Sequence, residues 1–372
     1  MKTKILVLCT SVGGGIKSTA DNVAEQLNLS GRYETRVEDV EKVERGVVTS
    51  IIRSGTVGML NHMPWLWGFL YDAQIILSLS LPLRKVLASF KSKHVLELLR
   101  SWQPAIVIST GVNPSAIMAY LKSKGLYRGK FVTVFSDYHV QRFWLHRETD
   151  LFVCNVPEQI SELKRLGYGE VPAVLTGTLI AQKFHRPLSR DLARDQLGLL
   201  KSMPLVLVGG AGKTRSSMRE VFHQLLRSSQ SFQVVALCGS NQTLKEELAQ
   251  ISAPDRHPVK ILGFIGNMDV WMAASEVLVY KTGGPSMAEA VAKKLPIVFV
   301  DVRPGHEQKN LEYLTDHGIG VYARSPREAQ HWVEEILAHR LKFNHEKSFQ
   351  TIVRPPGAIA LIEAIDRLHP KD

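Results

Sequence analysis

Short runs rich in Val, Ile and Leu recur along the chain, and longer stretches with helical spacing of apolar residues lie between them. In the first half the runs are ILVLC (Ile5–Cys9), YETRVEDV, AIVIS, FVTVF, LFVC and AVLTG. A second series follows: LVLVGG, QVVALCG, VKILGF, VLVY, IVFV and IGVYA. A strand with one wet face alternates apolar and polar residues, whereas a strand covered on both faces is apolar throughout. Runs of the second kind, alternating with helices, predict parallel sheets with helices on either side. The first helix is expected from about Ser18 to Leu27 and the last from Ala358 to Leu368. Two separate series predict an α/β chain of two doubly wound domains.

The series break between Thr178 and Pro204, where AQKFHRPLSRDLARDQLGLLKSMP is polar, basic and carries two prolines. That composition suits a linker and a leading helix. Domains are therefore expected over residues 1–180 and 181–345. Beyond about Lys342 the strand signals stop, and residues 346–372 are expected to form a helical segment that packs back on the first domain. Open parallel sheets bind ligands beyond the carboxyl ends of their strands, so a central cleft faced by the two domains is the expected site.

Composition narrows the class. A chain of 372 residues suits two domains at roughly 150 residues each. With 45% apolar and 22% charged residues it is neither a disordered tail nor a collagen-like or polytopic membrane chain. Lys and Arg total 46 against 35 Asp and Glu, a net charge of +11 that favours anionic partners. The positive charge is spread out and no aromatic RNA-binding motif accompanies it, so a nucleic-acid partner is not expected. Cys9, Cys154 and Cys238 each close an apolar run and fit no zinc or redox spacing, which makes them buried strand thiols. The N-terminal apolar run is too short for a signal sequence and leads into glycines, so the expected location is the reducing cytoplasm.

The segment Met63–Leu83 carries one formal charge, Asp72, and approaches membrane-spanning length. It is not expected to span, because Ile5–Cys9 before it and Ala105–Ser109 after it look like strands of one sheet. Trp65, Trp67, Phe69 and Tyr71, followed by Arg84, Lys85, Lys91, Lys93 and Arg100, describe a face lying on an anionic bilayer. The same pattern also fits an aromatic helix buried in the domain.

Three clusters carry chemistry. In VLVYKTGGPSMAEA a buried strand, Val277 to Tyr280, ends in Gly283 and Gly284, and a helix is expected to open near Ser286. Free N–H groups and the positive end of the helix dipole would meet a phosphate there, with small residues allowing close approach. The stretch thus reads as a diphosphate cradle that needs no metal. It reads equally as a tight turn in which Ser286 caps the helix and Glu289 completes a capping box. After the next strand, Pro304 to Asn310 (PGHEQKN) gathers imidazole, carboxylate and amide groups, which recognise hydroxyls. Near the N-terminus, SVGGG places Gly13, Gly14 and Gly15 between strand and helix, without the spacing of a dinucleotide fingerprint or a P-loop. At the end of another first-half strand, FSDYHVQRFWLH offers Asp137 and His139 as general-base candidates, with His146 nearby. Trp144 would stack on a sugar or pack in the core.

At these residues the chain resembles the monogalactosyldiacylglycerol synthase and processive diacylglycerol glucosyltransferase group, within glycosyltransferase family 28 and related to the muramyl-peptide N-acetylglucosaminyltransferase. The likeness runs from KILVLCTSVGGG through FSDYHVQRFWLHRETDLFV and LTGTLI to LGFIGNMDVWMAASEVLVYKTGGPSMAEA and PGHEQKN. It implies a GT-B fold of two Rossmann-like domains, with a UDP-hexose held by the second and a lipid acceptor by the first, at the inner face of the cell membrane. Carried over by motif, Gly283, Gly284, Pro285 and Ser286 would face the diphosphate and Glu289 the ribose. Phe264 and Ile265 would border uracil, and His306, Glu307 and Asn310 would hold the hexose. Gly209, Gly210 and Gly212 would form a loop facing the donor, with Gly14 and Gly15 in the loop of the first domain.

Relatives usually carry a histidine directly after the first glycine loop, and this chain has Ile16. Isoleucine cannot accept a proton, which leaves Asp137 or His139 as the expected base. His306 replaces a glutamine of the family pattern and Leu179 a proline. No two aspartates are separated by one residue, so the Asp-x-Asp metal site of many sugar-nucleotide enzymes is missing. The expectation is a metal-independent, inverting transfer of a hexose from a UDP-sugar to a lipid such as diacylglycerol, with no cofactor. The rival expectations are a catalytically silent binder of UDP-sugar or lipid, and a soluble UDP-sugar epimerase of the same fold.

Overall fold

The computed structural model describes residues 2–10, 14–41, 92–210 and 217–369. The chain folds into two compact units, Met1–Ala181 with Gln350–Asp372, and Gln182–Phe349. In the first unit the elements run β1 (Thr3–Cys9), α1 (Gly14–Leu29), β2 (Tyr33–Asp39), β3 (Ile106–Ser109), α2 (Val112–Ser123), β4 (Lys130–Val134), β5 (Leu151–Cys154), α3 (Pro157–Arg165) and β6 (Ala173–Leu175). They form a six-stranded sheet in the order β2-β1-β3-β4-β5-β6, and every pairing is parallel.

Strand β1 shows why its sequence is apolar at every position. Ile5, Val7 and Cys9 face a cluster with Ala20, Val23 and Leu27 of α1, while Leu6 and Leu8 face the opposite one with Val95, Leu98, Met118 and Leu121. Side chains alternate faces along a strand, and here each face is covered by helices. Ile5 pairs in register with Ile106, so the chain returns to the same sheet after residues 42–91. Val95, Leu98 and Leu99 bury one side of a helix over 92–102, and Lys93, Glu97 and Arg100 stand exposed on the other.

The second unit holds α4 (Gln182–His185), α5 (Arg190–Leu197), β7 (Leu205–Val208), α6 (Met218–Leu225), β8 (Gln233–Leu237), α7 (Gln242–Ala249), β9 (Val259–Leu262), α8 (Met268–Ala274), β10 (Val277–Tyr280), α9 (Gly284–Ala292), β11 (Ile297–Phe299), α10 (His306–Asp316), β12 (Val321–Tyr322), α11 (Pro326–Leu337) and the start of α12 (His345–Ile352). Its sheet has the order β12-β11-β10-β7-β8-β9, again parallel throughout. Val206, Val234 and Val279 pack there with Phe222 and Leu225 of α6 and Val333 and Ile336 of α11.

The chain then re-enters the first unit, where α13 (Gly357–Leu368) lies against β6 and α1. Two buried amides of α1 hold the facing segment: Asn22 donates to the Leu179 carbonyl at 2.9 Å and Gln26 to the Ile180 carbonyl at 3.0 Å. The Thr178 N–H donates to the Ile352 carbonyl at 2.7 Å. Gly177 is required at this contact, since its φ is +72° and a Cβ would sit 2.2 Å from the Val353 carbonyl oxygen.

The first helix begins at Gly14, ahead of the expected Ser18, so Gly14 and Gly15 form its opening turn. All three cysteines are buried, and burial pushes the Cys154 thiol up to about 12, as expected of an inert structural thiol. The face built on Trp65, Trp67, Phe69, Tyr71, Arg84, Lys85 and Lys91 lies outside the described residues, as does Gly212. Among the described residues no helix is long and apolar enough to cross a membrane.

Candidate functional site

In the second unit, β10 delivers the chain to Lys281, Thr282 and Gly283, and α9 opens at Gly284. The helix therefore starts two residues before Ser286, and the expected capping box does not form: the N-cap is Gly283, which has no side chain to cap with. Pro285 explains the start. It has no N–H and clashes with a preceding helical turn, so it is tolerated only in the first turn of a helix. Ser286 lies inside the helix. Among the described residues, a Cβ on Gly283 would meet nothing within 4 Å, so the approach to the positive end of the helix is open on that side.

The floor beside this opening depends on two further glycines. A Cβ on Gly209 would lie 2.8 Å from the Tyr280 ring, and one on Gly210, where φ is +92°, 3.0 Å from Lys281 Cγ. Parallel pairing of β7 with β10 brings the two strand ends together.

Phe264, in the loop after β9, is 85% exposed, an unusual position for an unpartnered phenyl ring, and Ile265 beside it is half-buried. Glu289 sits half-buried on α9. Burial pushes its carboxyl up to about 7, opposed by the nearby Lys183 ammonium and reinforced by Asp269. Lys183 and Asp269 belong to segments that the sequence offers only as a polar linker and a helix start; neither carries a local signal of a role.

The three residues expected to hold a hexose divide sharply. His306, the first residue of α10, is exposed. The Glu307 side chain is 5% exposed, and its two oxygens accept from Lys281 Nζ at 3.1 Å and from the Arg303 N–H at 3.1 Å. The Thr282 hydroxyl donates to the Glu307 carbonyl at 2.7 Å, so Glu307 braces the loop before α9 against the head of α10. Asn310 is fully buried.

In the first unit, Asp137 and His139 follow β4, both half-buried. Two buried amides fix their backbone. Asn155 donates to the carbonyls of Phe135 and Asp137 at 3.1 and 3.0 Å, and Gln159 to those of Asp137 and His139 at 2.9 and 3.0 Å. Trp144 is in the core: it is 2% exposed and stacks on Phe135 at 5.7 Å. Ile16 packs against the core beneath α1, and the Thr110 hydroxyl donates to its carbonyl at 3.2 Å. Among the described residues no group of three or more His, Cys, Asp or Glu side chains is placed to hold a metal ion.

Comparison with known proteins matches residues 17–180 to the family model for monogalactosyldiacylglycerol (MGDG) synthase. Residues 204–352 match the glycosyltransferase family 28 C-terminal domain. A processive diacylglycerol beta-glucosyltransferase of Bacillus thuringiensis (strain Al Hakam) is 25% identical over 371 residues, covering 97% of this chain and 93% of that protein. One from Bacillus cereus (strain AH187) is equally similar. Among solved structures, the MurG of Acinetobacter baumannii superposes with a TM-score of 0.62 at 13% identity, covering 99% of this chain and all of that one. The S. aureus MnaA structure with UDP gives 0.64 at 14% identity, covering 100% and 99%. At such identities these structures speak for the fold: two Rossmann-like domains of the GT-B kind.

Proposed function

We propose, from the matches of residues 17–180 to the monogalactosyldiacylglycerol synthase model and of residues 204–352 to the glycosyltransferase family 28 C-terminal domain, that the chain moves a hexose from a UDP-sugar to diacylglycerol. The observation that supports the donor side is the head of α9, where the N-cap is Gly283 and a Cβ there would meet no described residue within 4 Å. An anion placed there meets backbone N–H groups and the helix dipole.

Each residue then has a task. Gly283, Gly284, Pro285 and Ser286 receive the diphosphate, Glu289 takes the ribose hydroxyls, and the exposed Phe264 ring with Ile265 borders uracil. His306 offers its ring to the hexose hydroxyls. Glu307, engaged with Lys281 and Arg303, holds the loops that carry these groups.

The reaction is a single displacement. Asp137 or His139 takes the proton of the acceptor hydroxyl, its oxygen forms the new bond to the anomeric carbon, and the bond to the diphosphate breaks with inversion. Negative charge grows on the departing UDP as that bond lengthens. A preorganised helix head is therefore worth more in the transition state than in the bound donor, which is the condition for catalysis. No metal or cofactor is assigned. The acceptor dissolves in a bilayer, so the enzyme works peripherally at the inner membrane face, through the segment that carries Trp65, Trp67, Arg84 and Lys85.

Purified protein with diacylglycerol vesicles and labelled UDP-glucose, UDP-galactose or UDP-N-acetylglucosamine is expected to label the lipid from at least one donor. Asp137→Ala or His139→Ala should abolish turnover and leave UDP binding intact. Absence of lipid labelling with every donor contradicts the proposal.

A further inference from the structure

Strand β4 pairs with β5 as far as Val134 and Val153, and one more bond follows, from the Phe135 N–H to the Val153 carbonyl at 3.1 Å. There the partner strand runs out. It ends at Cys154 and the chain turns into α3 at Pro157, whereas residues 135–140, which carry Asp137 and His139, continue beyond it without regular structure. A segment that leaves its sheet loses the ladder that orients its carbonyls, and buried carbonyls must find other donors.

Side chains supply them at alternate residues. Asn155 Nδ2 donates to the carbonyls of Phe135 and Asp137 at 3.1 and 3.0 Å, and Gln159 Nε2 to those of Asp137 and His139 at 2.9 and 3.0 Å. One turn further along α3, Glu162 Oε2 accepts from the Val140 N–H at 3.0 Å. The clamp is itself held, since Gln159 Oε1 accepts from the N–H groups of Asn155 and Val156 at 2.7 and 3.3 Å, at the head of α3. Asn155 and Gln159 are 2% and 0% exposed, so water has little access to compete for these bonds. Tyr138 and Val140 are buried as well, and Asp137 and His139 between them keep some exposed surface.

We propose that Asn155 and Gln159 are positioning residues for the transfer: their side-chain amides stand in for the missing strand and hold residues 135–140 so that the base meets the acceptor hydroxyl. The inference rests on the assignment of the base to Asp137 or His139. A primary amide suits the task because its NH2 serves two carbonyls while its oxygen stays free to accept. An isosteric carboxylate keeps the accepting oxygen but sets a second acceptor against the carbonyls.

Gln159→Glu and Asn155→Asp are therefore the direct tests, and Gln159→Met, which offers neither donor nor acceptor, accompanies them. Each is assayed as the full chain with diacylglycerol vesicles and the labelled UDP-hexose that the wild type uses, beside UDP calorimetry and a thermal melt. Each variant is expected to lower kcat by about 30- to 100-fold, the scale of a misplacement of about 1 Å, with the KM for donor and the affinity for UDP within about twofold of the wild type. Folded variants that all keep kcat within about threefold of the wild type overturn the proposal. So does a loss of UDP affinity as large as the loss of kcat, which would report general damage to the protein. Asp137→Ala and His139→Ala separate the layers. If both turn over like the wild type, the base assignment itself fails. If either abolishes turnover while the amide variants retain kcat, only the role of Asn155 and Gln159 fails.

Discussion

Gly283→Val is expected to weaken UDP binding by about a hundredfold and leave both uridine binding and the fold unchanged. The backbone at Gly283 has φ −134° and ψ 145°, an extended conformation open to any residue and comfortable for a β-branched one. Among the described residues, nothing lies within 4 Å of the new Cβ. A substitution that meets neither strain nor neighbours shifts stability by no more than about 0.5 kcal/mol, a change of about 2 °C or less in melting temperature. Under the proposed assignment the diphosphate would meet the valine methyls in place of backbone. Losing two charge-assisted hydrogen bonds at about 1.4 kcal/mol each gives the hundredfold. Calorimetry with UDP and with uridine, beside a thermal melt, checks all three parts. Equal weakening of UDP and uridine would mean that the glycine does not face the phosphates.

Arg194→Ala is expected to destabilise the second unit by about 3 to 5 kcal/mol. Arg194 is 3% exposed on α5. Its guanidinium donates to both oxygens of Glu276 at 2.8 and 2.6 Å, to the Ala274 carbonyl at 3.0 Å and to the Lys201 carbonyl at 2.8 Å. Glu276 also accepts from the Leu205 N–H at 2.6 Å, which fixes the start of β7. Removal of the arginine takes two hydrogen bonds from a largely buried carboxylate, which keeps the Leu205 N–H and the half-exposed Arg190 at 3.2 Å, and leaves two carbonyls without their donor. Glu276→Gln added to Arg194→Ala should recover part of the loss, because the stranded charge is then gone. Urea unfolding of the two variants measures both values. A single variant within about 1 kcal/mol of the wild type would show that water readily enters this site.

The inner strands were legible because two-sided burial leaves an uninterrupted apolar signature; all twelve runs lie at observed strands, among them the partly buried edge strands β2 and β9. The head of α9 was legible in place but not in detail. Ser286 and Glu289 have capping-box spacing, yet Pro285 forces the helix to begin before the serine and leaves a glycine at the cap. The first helix likewise starts within the glycine run, because α1 is held by packing along its length and tolerates weak helix formers in its first turn.

Long-range partners were not legible. Glu307 reads as a polar loop residue until β10 and β11, paired side by side, bring Lys281 to it. Lys183 and Asp269 lie far apart in sequence and meet only once α4 and α8 are in place. Nothing local distinguishes Trp144 as a core ring from a ring that stacks on sugar; its place beside Phe135 follows from the turn after β4.

We propose that backbone at the head of α9, without a divalent cation, holds the diphosphate of the donor. Calorimetry of UDP and uridine in buffer stripped of metals with EDTA separates this from a metal-dependent site. UDP is predicted to bind at least about tenfold more tightly than uridine, with the margin unchanged when magnesium or manganese is restored. UDP binding no tighter than uridine until a divalent cation is added would contradict the claim.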